Sequence, residues 1–126
     1  MENLVVGLLY KSPELLRLER NISDENGVEE EFGTQKGDVY SFAIILHELH
    51  SRRGPFGDSG LSHSIILDKV INYDPLKPPF RPHLDALENN FDFVRECLKE
   101  CWAENPEERP DFKSVRTKLR PMRKGM

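Results

Sequence analysis

Two cysteines, Cys97 and Cys101, stand four residues apart, a spacing that puts both thiols on one face of a helix. A pair of thiols is half of a zinc site or a redox couple. No second Cys or His pair lies nearby to complete a metal set, so the pair reads as small buried apolar groups in a reducing compartment. The four histidines, His47, His50, His63 and His83, are scattered and have no Ser or Cys nucleophile arranged with them, which argues against a hydrolase. The acidic group Asp24, Glu25, Glu29, Glu30 and Glu31 lacks the alternation and the turn glycine of a calcium loop. No catalytic residue, metal ligand or cofactor-binding residue is expected in this chain.

The elements that would carry these residues are helical. Ser12 can cap a helix that starts on Pro13, where the missing N–H needs no partner, and Glu14 favours the positive end of its dipole. Leu15, Leu16 and Leu18 would be its buried side. Residues 1 to 11 look like the tail of an extended segment, and residues 19 to 37 turn polar and acidic and read as a surface loop. Asp38 precedes a helix running to about His50 whose residues are apolar nearly all round, so it belongs in the middle of a body. The Gly54 to Gly57 turn ends that section. Ser62 or Ser64 can cap a shorter helix with Ile66, Leu67, Val70 and Ile71 on one side, and Pro75, Pro78, Pro79 and Pro82 stiffen the link that follows. Asn90 can cap a helix with Phe91, Val94, Leu98 and Cys101 at spacings of three and four. Asp111 can cap a last helix through Phe112, Val115, Leu119 and Met122, which Pro121 should bend or end. No credible strand follows residue 11, and the fold class is all-α.

With 126 residues, the chain is sized for a single core. A net charge of -4 argues against nucleic acid as partner. The basic residues near the end (Lys113, Arg116, Lys118, Arg120, Arg123, Lys124) read as a solvated helix face. The longest apolar run, Phe42 to Leu46, is far short of the ~20 residues that span a bilayer, and no signal peptide is visible at the start. No membrane contact by this segment is expected, and it reads as cytoplasmic or as a piece of something longer.

Three groups of residues carry a more specific message. Ser12-Pro13-Glu14, then Gly37-Asp38-Val39-Tyr40-Ser41-Phe42, then Cys101-Trp102 with Pro106, Arg109, Pro110 and Phe112 resemble, in order, three landmarks of the C-terminal lobe of protein kinases. The resemblance implies an ion pair between Glu14 and Arg109. It also implies structural roles for Pro13, Asp38 and Trp102, with Asp38 reaching the catalytic loop in a whole domain. Within that world, Pro13 to Arg17, Gly33 to Leu46, Pro78-Pro79-Phe80-Arg81-Pro82 and Cys101 to Pro106 look most like the kinase homology domain of receptor guanylyl cyclases. There Phe80-Arg81-Pro82 reads as a stiff linker with one exposed arginine. Departures occur at Tyr10 and Lys11, at Ser12, and in an insertion over residues 19 to 32.

What the resemblance implies is a partial kinase-like domain over residues 1 to 126, its N-terminal lobe and catalytic loop missing. The glycine-rich cover, lysine, metal-holding Asp and catalytic Asp that phosphoryl transfer needs belong upstream of Ser12 in family order. The expectation is a non-catalytic regulatory segment that, in a plasma-membrane receptor, relays ligand binding to cyclic GMP synthesis. Any ATP would bind the intact parent domain. Expected partners are the rest of the kinase-like domain and the cyclase region, with self-association or a chaperone for the segment alone. Two alternatives stand beside it: the C-terminal lobe of an active tyrosine-kinase-like kinase, and a free-standing interaction protein from a truncated isoform.

Overall fold

Helix-forming stretches punctuated by glycine and proline recur in the computed structural model, which describes residues 7–23, 35–52, 54–72, 74–84 and 92–120. They are α1 (Pro13–Ser23), α2 (Gln35–Ser51), α3 (His63–Ile71), α4 (Asp92–Cys101) and α5 (Phe112–Lys118), with 3-10 turns at Gly57–Ser59 and Pro106–Glu108. No strand occurs among the described residues.

The apolar repeat places α2 in the centre. It packs against α4 and both 3-10 turns, while α1 packs on α3 and α4 on α5. Val39, Tyr40, Ala43, Ile44 and Leu46 of α2 meet Val94, Cys97, Leu98 and Cys101 of α4, together with Trp102, Val115, Phe56, Ile66 and Val70. In α4 the spacing of four between Val94 and Leu98, and between Cys97 and Cys101, builds one wholly buried face.

Several boundaries differ from the sequence reading. Residues 7 and 8 are helical, with hydrogen bonds from Tyr10 N to Gly7 O (3.4 Å) and Lys11 N to Leu8 O (3.1 Å), where an extended tail was expected over residues 1 to 11, of which 1–6 lie outside the described residues. Of the surface loop expected over 19 to 37, residues 19–23 and 35–37 are helical, and residues 24–34 lie outside the described residues. Glu19 lies within α1, which runs to Ser23, and its carboxylate takes the Lys11 ammonium at 3.0 Å. At the other end α2 already runs from Gln35, which puts Gly37 and Asp38 inside its first turn. Asp38 is therefore an exposed acid that suits the helix dipole from within, not the cap that precedes the helix.

Capping also sorts differently. Ser12 holds the cap position of α1, its carbonyl accepting Leu16 N at 3.0 Å, but its buried Oγ has no hydrogen-bond partner. Ser62, not Ser64, caps α3, its Oγ accepting Ile65 N at 3.4 Å. Asp111 caps α5, accepting Ser114 N at 2.8 Å, and the bond holds its carboxyl below the usual range. Of the three leucines assigned to the buried side of α1, Leu16 alone is buried and Leu18 is exposed, since residue 18 lies off the face that meets α3. One side of α2 is open, with Ile45 and Leu49 45% and 68% exposed. Asn90, Phe91, Pro121 and Met122 fall outside the described residues.

Gly54 adopts φ +81°, which a side chain would resist, and Phe56 is itself left-handed at φ 57°. Burial offsets that strain. The Phe56 ring stacks on Phe80 at 5.7 Å with 5° between planes, pinning the turn after α2 to the linker after α3.

Candidate functional site

Arg109 lies where the chain turns twice within a few residues. Asn105 caps the Pro106–Glu108 turn, its side-chain oxygen accepting Glu107 N at 3.0 Å, and Arg109 N donates to Pro106 O at 3.1 Å. This aims the guanidinium inward. Nη1 and Nη2 donate to Glu14 Oε2 and Oε1, each at 2.8 Å, in a two-pronged pair across 95 positions of sequence. Nε donates to Ala103 O at 2.8 Å, Nη1 also to Lys36 O at 3.1 Å, and Nη2 also to Glu104 O at 3.5 Å. All five N–H donors of the group are thereby used.

The burial within the pair is unequal. The Arg109 side chain is 0% exposed and that of Glu14 33%, so the arginine, rather than the glutamate, is the charge that cannot reach water. Burial by itself would raise the Glu14 carboxyl; the hydrogen bonds and charge of Arg109 outweigh it and hold the group below its usual value. Pro13 is buried beside it in the first turn of α1.

A second arginine completes the arrangement. Arg81, expected as an exposed linker residue, has a side chain only 7% exposed, because Pro82 and Phe80 anchor the backbone on either side and turn it inward. Its Nε donates to Trp102 O at 2.7 Å, Nη1 to Phe80 O at 2.7 Å and Nη2 to Glu104 Oε1 at 3.3 Å. Glu104 takes Arg17 Nη1 on its other oxygen at 2.6 Å. Arg17 then reaches the C-terminal end of α3, donating to Ile71 O at 2.8 Å and Val70 O at 3.2 Å. Under this network lies the buried ring of Tyr40, with Arg81 and Arg109 over it at 5.1 and 5.3 Å.

Three guanidiniums and two carboxylates thus tie α1, α2, the α3 terminus, the proline linker and the 3-10 turn into one hub. Of the five residues singled out from sequence, Glu14, Arg109, Pro13 and Trp102 come together here. The Trp102 ring also packs on His47, 6.0 Å between centroids, and His47 Nε2 bonds His83 O at 2.5 Å. Asp38 stands apart from the hub. Sequence reasoning missed Arg17, Tyr40, Arg81 and Glu104, although each lies in a stretch that carried the resemblance; three charges and a phenol within those stretches were the available signal.

The hub's chemistry is that of a clamp. Its cations are spent on carbonyls and carboxylates, leaving none to polarise a substrate. Outside it, Cys97 and Cys101 are buried with their sulfurs 3.8 Å apart. The hydrogen bond between them lowers the Cys97 thiol and raises that of Cys101. No group of three or more possible metal-ligating side chains occurs among the described residues. Nor is any helix there long and apolar enough to cross a membrane.

A family model described as protein tyrosine and serine/threonine kinase matches residues 22–119. The chain is 44% identical over 122 residues to the receptor-type guanylate cyclase Gyc76C of Drosophila melanogaster, covering 93% of this chain and 7% of that protein. It is 40% identical over 119 residues to the speract receptor of Strongylocentrotus purpuratus, covering 94% and 10%. Over 94 residues it is 45% identical to atrial natriuretic peptide receptor 2 of Rattus norvegicus, covering 73% and 9%. The chain spans a tenth or less of the length of these curated relatives.

Proposed function

The chain belongs to the protein tyrosine and serine/threonine kinase family, in the form found in the kinase homology region of receptor guanylate cyclases, and we propose that it is a non-catalytic regulatory segment of such a receptor. In that parent it relays ligand binding outside the cell to cyclic GMP synthesis. The observation that carries this reading is the hub. Its charged groups join five separate segments and face one another, an arrangement suited to holding those segments in register and to passing a shift of one to the rest. ATP, as a ligand of the intact domain, would contact residues outside this chain. The remainder of the kinase-like domain would cover the open side of α2, and the segment would lie on the cytoplasmic side of the parent's membrane.

Glu104 is the place to test the relay, because its two oxygens bridge Arg17 and Arg81. In a full-length receptor guanylate cyclase carrying this segment, Glu104→Gln should reduce ligand-stimulated cyclic GMP production roughly fivefold or more, the usual size of a coupling between sites. Unstimulated production and surface expression should hold. An equal fall in stimulated and unstimulated output would mean that the hub serves folding alone. Transfer of phosphate from ATP by the purified chain would favour the kinase alternative.

A further inference from the structure

A cleft of about 580 Å³ opens between the end of α3 and the proline linker. Nine residues line it. Three of them are the cationic Lys69, Lys77 and Arg81, against a single carboxylate, Asp74, in a chain whose net charge is -4. The local excess of cationic side chains therefore runs against the charge of the molecule.

The surroundings hold this excess in place. Asn72 ends α3 by donating its backbone N–H to Asp68 O at 2.9 Å and its amide to Asp68 Oδ1 at 2.7 Å, which orients one oxygen of that neighbouring carboxylate. The Asp74 carboxylate is turned into the following loop, accepting Leu76 N at 2.9 Å. Lys69 Nζ lies 5.8 Å from the centroid of the Phe80 ring, whose backbone Pro78 and Pro79 stiffen. Neither Lys69 nor Lys77 has a carboxylate partner within salt-bridge distance among the described residues. The Arg81 guanidinium is spent on the hub, so the free cations are the two lysines, one on the helix wall and one on the loop wall.

We infer that this cleft binds a phosphate monoester carried on a peptide, that is, a phosphorylated segment of a protein. A dianion with three acceptor oxygens can engage ammonium groups from two walls at once, which a single carboxylate does less well. The space is several times that of a bare phosphate, and Pro78, Pro79 and Phe80 offer apolar surface to the residues flanking the modified one.

The test uses the intact chain and a short phosphoserine peptide with apolar flanks, titrated by calorimetry and by amide chemical shifts. The unphosphorylated peptide and inorganic phosphate serve as comparison probes. Saturable binding is expected, with shifts centred on Lys69, Asn72, Lys77 and His83. Lys69→Gln and Lys77→Gln, both at exposed positions, should each weaken it by about fivefold to tenfold, in line with loss of one charge-assisted bond. The inference is overturned by equal affinity for the unphosphorylated peptide, by inorganic phosphate binding as tightly as the peptide, by indifference to both substitutions, or by no saturation at millimolar peptide.

Discussion

At the scale of single residues, the unequal burial of the Glu14 and Arg109 pair decides what its loss does. Arg109→Ala leaves a third-exposed carboxylate that can recover water, but empties a buried volume and strips hydrogen bonds from the carbonyls of Ala103, Lys36 and Glu104. Glu14→Ala leaves a guanidinium that cannot reach water. Each should cost about 3–5 kcal/mol, the range for breaking a buried pair, and urea unfolding would measure both. Stability of either variant equal to that of the parent chain would show that the pair contributes nothing. The same pair sets an acid limit. Because the folded state holds the Glu14 carboxyl below its unfolded value of about 4.3, its contribution is complete above that pH and is lost as pH falls through the lowered folded value. Arg109→Ala should therefore flatten the acid side of the stability profile. An unchanged slope below pH ~4 in that variant would place the acid sensitivity elsewhere.

Among the elements, the order and helical nature of the body were legible because apolar residues recur at three and four through α4 and α5, and because prolines and glycines separate the helices. The ends of α1 and α2 were not. Glu19 to Ser23 reads as polar loop in isolation, and only the ion pair from Lys11 and the packing of α1 on α3 show why the helix continues. Gly37 looked like a boundary because glycine is a poor interior helix residue; in the first turn, where backbone N–H groups are unpaired anyway, its cost is small. The hub was half legible: a pair separated by 95 positions came from the resemblance, while Arg81 was hidden by the habit of assigning charged linker residues to solvent. The caps at Asp111 and, as one of two alternatives, at Ser62 were legible, and Asp111 offers a direct measure. Asp111→Ala removes the acceptor for Ser114 N at the start of α5 and should lower the unfolding temperature. Asp111→Asn, which keeps an acceptor, should recover most of that loss; thermal unfolding of the two variants distinguishes a cap from a general charge effect.

For the molecule as a whole, the side of α2 away from α4 carries the remaining consequence. Phe42, Ile45 and Leu49 follow one another at spacings of three and four, and Phe42 meets Phe112 edge to face at 6.1 Å. Phe112 in turn shares a groove of about 500 Å³ with Val115 and Leu119. These residues make one apolar strip from α2 to α5, whose members Ile45, Leu49 and Phe112 are exposed. A strip of that kind on an isolated chain favours association, since removing it from water is worth roughly 25 cal/mol per Å² and nothing within the described residues covers it. The chain on its own should self-associate at tens of micromolar. Replacing Ile45 and Leu49 together by glutamate should shift it to monomer in light scattering while leaving the unfolding transition cooperative, because neither side chain contributes to the buried core. If the parent chain is already monomeric at that concentration, or if the double variant associates as before, the strip is not the contact surface and its role as the face awaiting the rest of a kinase-like domain loses its support.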